Sequence, residues 1–114
     1  MASGAIKKIS GPAFLAAAAA DIYTPPNAAV FTVINHIHIA NVTAGAVTFT
    51  LFVGATGGSA AGTQLFAAYS VAANSTYDWY SSPGMKLTST EFLTGLASAA
   101  TSLTISVFGS YQAT

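Results

Sequence analysis

The sequence predicts an all-β protein: an antiparallel β-sandwich, jelly-roll-like, with an extended N-terminal arm. Three observations carry this. Residues 30–53 alternate apolar and polar side chains with period two, in runs rich in Val, Ile, Phe and Thr, as half-buried strands do. Seven or eight such short runs follow one another at regular spacing, and no segment has helical periodicity of any length.

Taken in order, residues 1–12 are small, polar and irregular and read as an arm, leaving 13–114 as a single sandwich domain. Lys7 and Lys8, followed by Phe14, Leu15 and the alanines 16–20, superficially resemble a signal peptide. Gly11-Pro12 interrupts that pattern and the apolar stretch is short and weak, so no cleaved secretion signal is expected. Between Pro12 and Pro25 the alanines have too little room to hold a helix against its nucleation cost, and residues 13–24 are expected to be extended.

Residues 30–53 then read as two strands joined into a hairpin by Asn41-Val42-Thr43-Ala44-Gly45. In the first strand Phe31, Val33, Ile37 and Ile39 are expected on one face, with Thr32, His36 and His38 on the other. Residues 54–62 are a Gly-rich connection. A phosphate cradle would need a Lys-Ser/Thr pair after the glycines, and none follows. Residues 64–71 form the next strand, Ala72-Ala73-Asn74-Ser75 a turn, and residues 76–80 a strand with Tyr77 and Trp79 facing the core and Asp78 and Tyr80 facing out. Ser81-Ser82-Pro83-Gly84 reads as another turn. Short strands near 85–88 and 91–97 follow, and residues 102–108 close the pattern with Leu103, Ile105 and Val107 in alternation.

Composition narrows the function. Three lysines face three acids in 114 residues, so charged side chains make up 5% of the chain, against roughly 25% in an ordinary soluble domain. Zero net charge offers no footprint for a phosphate backbone or an anionic bilayer, so neither nucleic acid nor a membrane is an expected partner. A surface this poor in charge is expected to be covered by other copies or by a larger particle. Absence of cysteine excludes disulfides and thiol chemistry.

The sequence carries no catalytic signature. Ser is common, but no Gly-x-Ser-x-Gly elbow occurs, and three acids leave little for carboxylate pairs, so the chain is not expected to be an enzyme. His36-Ile37-His38 places two imidazoles on one strand face, a spacing that suits two ligands of a metal. A third ligand would have to be Asp21, Asp78 or Glu91. With donors so scarce the pair reads as a solvated or interface-facing surface, and no metal or other cofactor is expected. Tyr80, beside Asp78, is the candidate for a glycan contact. The sequons at Asn41 and Asn74 read as turn chemistry.

AAADIYTPP over residues 18–26, IHIANVTAGAVTFTLFVG over 37–54, LFAAYSVAANSTYDWY over 65–80 and LTISV over 103–107 together resemble small β-sandwich structural proteins of tailed-bacteriophage virions, of the capsid decoration or cement type. The family type often carries a Gly-Lys turn after the first proline, where this chain has Pro26-Asn27-Ala28. The resemblance implies a non-enzymatic virion protein on the capsid surface that binds and stabilises the lattice as trimers. Its partners would then be copies of itself and the major capsid protein, with Lys7, Lys8 and Ile9 in a docking arm. A tail or fibre subunit, or a glycan-binding module on the particle using Tyr80, is the alternative.

Overall fold

The computed structural model describes residues 7–24, 30–54, 63–88 and 90–113. Eight strands make up the fold: β1 (Lys7–Phe14), β2 (Ala20–Tyr23), β3 (Val30–Asn41), β4 (Val47–Gly54), β5 (Gln64–Val71), β6 (Thr76–Leu87), β7 (Phe92–Ala97) and β8 (Leu103–Ala113). They form two four-stranded antiparallel sheets, ordered β1-β8-β3-β6 and β2-β7-β4-β5. From β1 to β4 the chain changes sheet at every step, β5 stays beside β4, and β6, β7 and β8 change sheet again. That path is a jelly roll.

The core lies between the sheets. Ile34, Ile37 and Ile39 of β3 and Leu103, Ile105 and Val107 of β8 meet Val47, Phe49 and Leu51 of β4 and Leu93 of β7. Each such side chain contributes about 1.5–3 kcal/mol by leaving water. Tyr23 on β2 adds a polar tie, because its buried hydroxyl hydrogen-bonds the buried Thr32 hydroxyl on β3 in the opposite sheet. Phe49, Phe66, Tyr69, Tyr77 and Trp79 pack ring against ring between edge strands β5 and β6 and close that side. Tyr77 and Trp79 point inward as expected. They are half-buried, because the sandwich opens to solvent at its edge.

Four expectations need correction. β3 and β4 are not a hairpin: β3 pairs with β6 and β8, whereas β4 pairs with β5 and β7. Both strands carry a largely apolar inner face, so they are placed on opposite walls of the core and the link carries the chain across. Asn41 holds that crossing. Its Nδ2 donates to the carbonyls of Gly45 at 2.8 Å and Val71 at 3.0 Å, and its Oδ1 accepts from the backbone and hydroxyl of Thr43.

The second correction concerns faces. Thr32 and Ile34 are buried, then Ile37 and Ile39, so the inward parity of β3 switches between residues 34 and 37. Asn35 is the extra residue. Ile34 pairs with Gly109 and His36 with Phe108, two adjacent positions of β8, and a β-bulge of this kind reverses which side chains face in. Phe31 and Val33 therefore lie outside the core, with the Lys86 ammonium 4.3 Å over the Phe31 ring.

Third, residues 81–84 do not reverse the chain. Ile34 pairs with Met85 and His36 with Tyr80, so all four residues bulge out opposite Asn35 and β6 resumes in the same direction. An edge strand tolerates this, since its proline needs no partner on the open side. Gly84 turns there with φ of 129°, a backbone conformation that suits glycine.

Last, the boundary expected between residues 12 and 13 falls inside β1. Residues 7–12 are extended, as the arm was expected to be, but they are paired with β8. Lys7, Lys8 and Ser10 pair with Gly109, Phe108 and Val107, with irregularities between them, and Ser10 Oγ donates to the Ile22 carbonyl of β2 at 2.6 Å. Of the loop expected at 54–62, Gly54 ends β4 and residues 55–62 lie outside the described residues, as does the turn expected at 26–28.

Two outcomes are expected from this packing. A Cβ on Gly109 would collide with the Val33 carbonyl oxygen across the bulge, where backbone cannot easily yield. Gly109→Ala should cost about 1–3 kcal/mol in urea unfolding, in the range of overpacked sites; a neutral result would show that the bulge relaxes freely. Burial foremost raises the Tyr23 pKa, with Tyr111 adding to it and the Thr32 hydrogen bond opposing it. A raised folded value means that this part of the stability is present below the unfolded value of about 10 and is lost as pH climbs through the folded one. Unfolding free energy should thus fall more steeply above about pH 10 in the parent than in Tyr23→Phe, and parallel profiles would contradict it.

Candidate functional site

The outer face of the β1-β8-β3-β6 sheet gathers most of the chain's chemistry. Beyond the bulge, His36 and His38 of β3 point away from the core. Directly opposite His36 stand Tyr80 of β6 and Phe108 of β8, and Phe108 in turn pairs with Lys8 of β1. Directly opposed residues share a face, so Lys8, Phe108, His36 and Tyr80 form one row across all four strands. In the next row His38 lies between Asp78 and Ser106.

The His36 imidazole is sandwiched. Tyr80 stacks on it at 4.3 Å between ring centroids and 7° between planes, and Phe108 at 5.1 Å and 16°. Two parallel neighbours fix the plane of the ring. Its Nε2 is 2.8 Å from Asp78 Oδ1, and Nδ1 of His38 is 2.6 Å from the same oxygen. Both ring N–H groups thus donate to one carboxylate oxygen. The hydrogen bonds from His38 and then His36 hold the Asp78 carboxyl below the usual carboxylate range, so it is the acceptor at neutral pH.

All of this is open to water: the side chains are 24% exposed at His36, 36% at His38 and 34% at Asp78, and Tyr80 is 69% exposed. The nitrogen, nitrogen and oxygen donors of His36, His38 and Asp78 lie within 4.8 Å of one another and are the group among the described residues able to hold a metal ion.

Residues anticipated from sequence are distributed as follows. Tyr80 faces solvent in the row just described. Lys8 is exposed at the other end of that row, the Lys7 ammonium lies 4.7 Å over the Tyr111 ring, and Ile9 packs against the core. Lys7, Lys8 and Ile9 therefore do not form one contiguous surface. Phe108 was missed, although its even position beside Ile105 and Val107 already placed it outward. The convergence of Asp78 on both imidazoles was also missed, because it depends on the register of β3 against β6, 40 and 42 residues apart.

In comparisons with known proteins, no family model matches this chain, and no curated protein and no solved structure matches it.

Because Tyr80 leans on His36 from an edge strand with most of its surface in water, Tyr80→Ala should lower stability by only about 0.5–1.5 kcal/mol, the worth of one aromatic pair. Urea unfolding at constant slope measures this. A loss of 3 kcal/mol or more would make the ring part of the core.

Proposed function

We propose that the chain is a non-enzymatic bacteriophage virion structural protein, a capsid decoration or cement protein that binds and stabilises the capsid lattice as copies clustered in trimers. The observation that carries this reading is the combination of six formal charges in 114 residues and a sheet face on which the exposed Tyr80 ring stacks with the half-buried His36 and Phe108. Such a face is costly to leave in water and suited to being covered. The jelly-roll path supports it as well, since that architecture recurs in viral capsid and lectin domains. Fold alone does not assign function, so the weight rests on the surface.

Lys8 and the outer row starting from it take over the role first assigned to the whole arm. Deleting residues 7–12 would remove an edge strand, so point variants are the sound test. Symmetric clustering multiplies weak contacts into firm attachment.

One observation favours a second reading. Tyr80 presents an aromatic surface next to the Asp78 carboxylate, the pairing that binds a sugar through its apolar face and its hydroxyls. On that reading the chain is a glycan-binding module of the particle. A tail or fibre subunit differs from the first reading in location alone.

The test is to add the protein, and Lys8→Ala and Tyr80→Ala variants, to capsids lacking it, and to follow occupancy and the heat resistance of the particle. Saturable binding that raises the capsid melting temperature, weakened in the variants, is expected. Binding to purified tails and not capsids would move the assignment to the tail, and retention on a glycan array lost in Tyr80→Ala would favour the second reading.

A further inference from the structure

We propose that His36, His38 and Asp78 form a surface site for a divalent transition-metal ion of the zinc class, clamping edge strand β6 to β3. The inference stands apart from the capsid reading, because it rests on ligand geometry alone. It also reverses the expectation drawn from the sequence, where Asp21, Asp78 and Glu91 were too few further donors to favour a metal.

The donors converge. His36 Nε2 and His38 Nδ1 both address Asp78 Oδ1, at 2.8 and 2.6 Å, and all three atoms lie within 4.8 Å of one another. A tetrahedral zinc ion with bonds of about 2.0–2.2 Å holds its ligands about 3.3 Å apart. Each nitrogen must therefore separate from the oxygen by well under 1 Å, and the two nitrogens must close on one another to the same spacing from at most 4.8 Å. Asp78 and His38 are each about a third exposed, so rotations of these two side chains supply the movements while the stacked His36 ring stays in place. The ion takes the lone pairs of His36 Nε2 and His38 Nδ1, so in the bound state each neutral imidazole carries its proton on its other ring nitrogen, and the Asp78 oxygen exchanges its two N–H donors for the ion.

Preorganisation is built in. Tyr80 and Phe108 hold the His36 ring on both faces, and His38 sits two residues along the same strand, so the two imidazoles are already aligned on one side of the sheet. The chain has two histidines, and both are here. With no cysteine, no thiolate competes for the ion. Two imidazoles and a carboxylate suit zinc, nickel or copper and not magnesium or calcium, which take oxygen donors. Three protein ligands leave the fourth position to water.

The location gives the ion a structural consequence. β6 is bonded on one side only, to β3, and residues 81–84 leave the ladder directly after Tyr80. An ion shared by His36, His38 and Asp78 ties β6 to β3 next to that break.

Tag-free protein, freed of metal with a chelator, is titrated with zinc chloride by calorimetry, with magnesium chloride as control. One zinc per chain is expected, with a melting temperature that rises with zinc concentration by mass action and does not respond to magnesium. Asp78→Asn and His38→Gln should each weaken zinc binding at least about 10-fold while circular dichroism stays that of the parent. Cobalt bound to the parent should give the intense visible bands of a four-coordinate ion, a readout that requires no variant to fold. No saturable zinc binding up to millimolar concentration overturns the proposal, and so does binding to Asp78→Asn as tight as to the parent.

Discussion

Everything on the outer face depends on the extra residue Asn35. Had β3 kept one parity throughout, a strand burying Thr32 and Ile34 would also have buried His36 and His38 and put Ile37 and Ile39 in water. The bulge lets both halves of a twelve-residue strand serve the core. It is accommodated by a glycine on either flank. Gly109 on β8 leaves space for the Val33 carbonyl, and Gly84 on β6 leaves space for the Val33 side chain. Only after this switch do the two imidazoles reach the face where Asp78, Tyr80 and Phe108 await them.

Much of the fold was legible because period two is a local signal. Residues 37–41, 47–53, 76–80 and 103–107 face the directions that simple alternation assigns, and Tyr77 and Trp79 were separated from Asp78 and Tyr80 on that ground alone. What escaped the sequence was non-local. Whether adjacent strands pair or stack on opposite sheets is decided by which faces must be dry, so a short polar link mimicked a hairpin. A Ser-Ser-Pro-Gly run has the composition of a reversal, yet pairing of Met85 and Leu87 with β3 carries β6 straight on. The polar residues 7–12 looked unfit for a core, but a strand at a sheet edge is selected for backbone partners. Of the site, the outward parity of Asp78 and Tyr80 was readable, and the register that brings Asp78 to His36 and His38 was not.

Charge scarcity and the clustered face bear on one another. Where so few ionisable groups exist, their placement is informative: one of three acids and both histidines occupy neighbouring positions on two strands. The remaining outer row is aromatic and cationic at its two ends. A surface of this kind offers stacking, a carboxylate and imidazoles within two adjacent rows.

The position of β8 has a consequence for how the protein comes into being. In chain order it is the last of the eight strands, yet in space it lies between β1 and β3. During synthesis on the ribosome β1 emerges first and waits, unpaired, until some ninety further residues have followed and β8 arrives to fill the gap. One sheet, β2-β7-β4-β5, can complete itself while the other is still missing its centre. Completion of the β1-β8-β3-β6 sheet thus waits on β8, with the slow closure of distant contacts that such topologies impose. A nascent chain stalled short of residue 103 would expose the half-built core to its neighbours on the polysome, and the arrival of β8 is what removes that hazard.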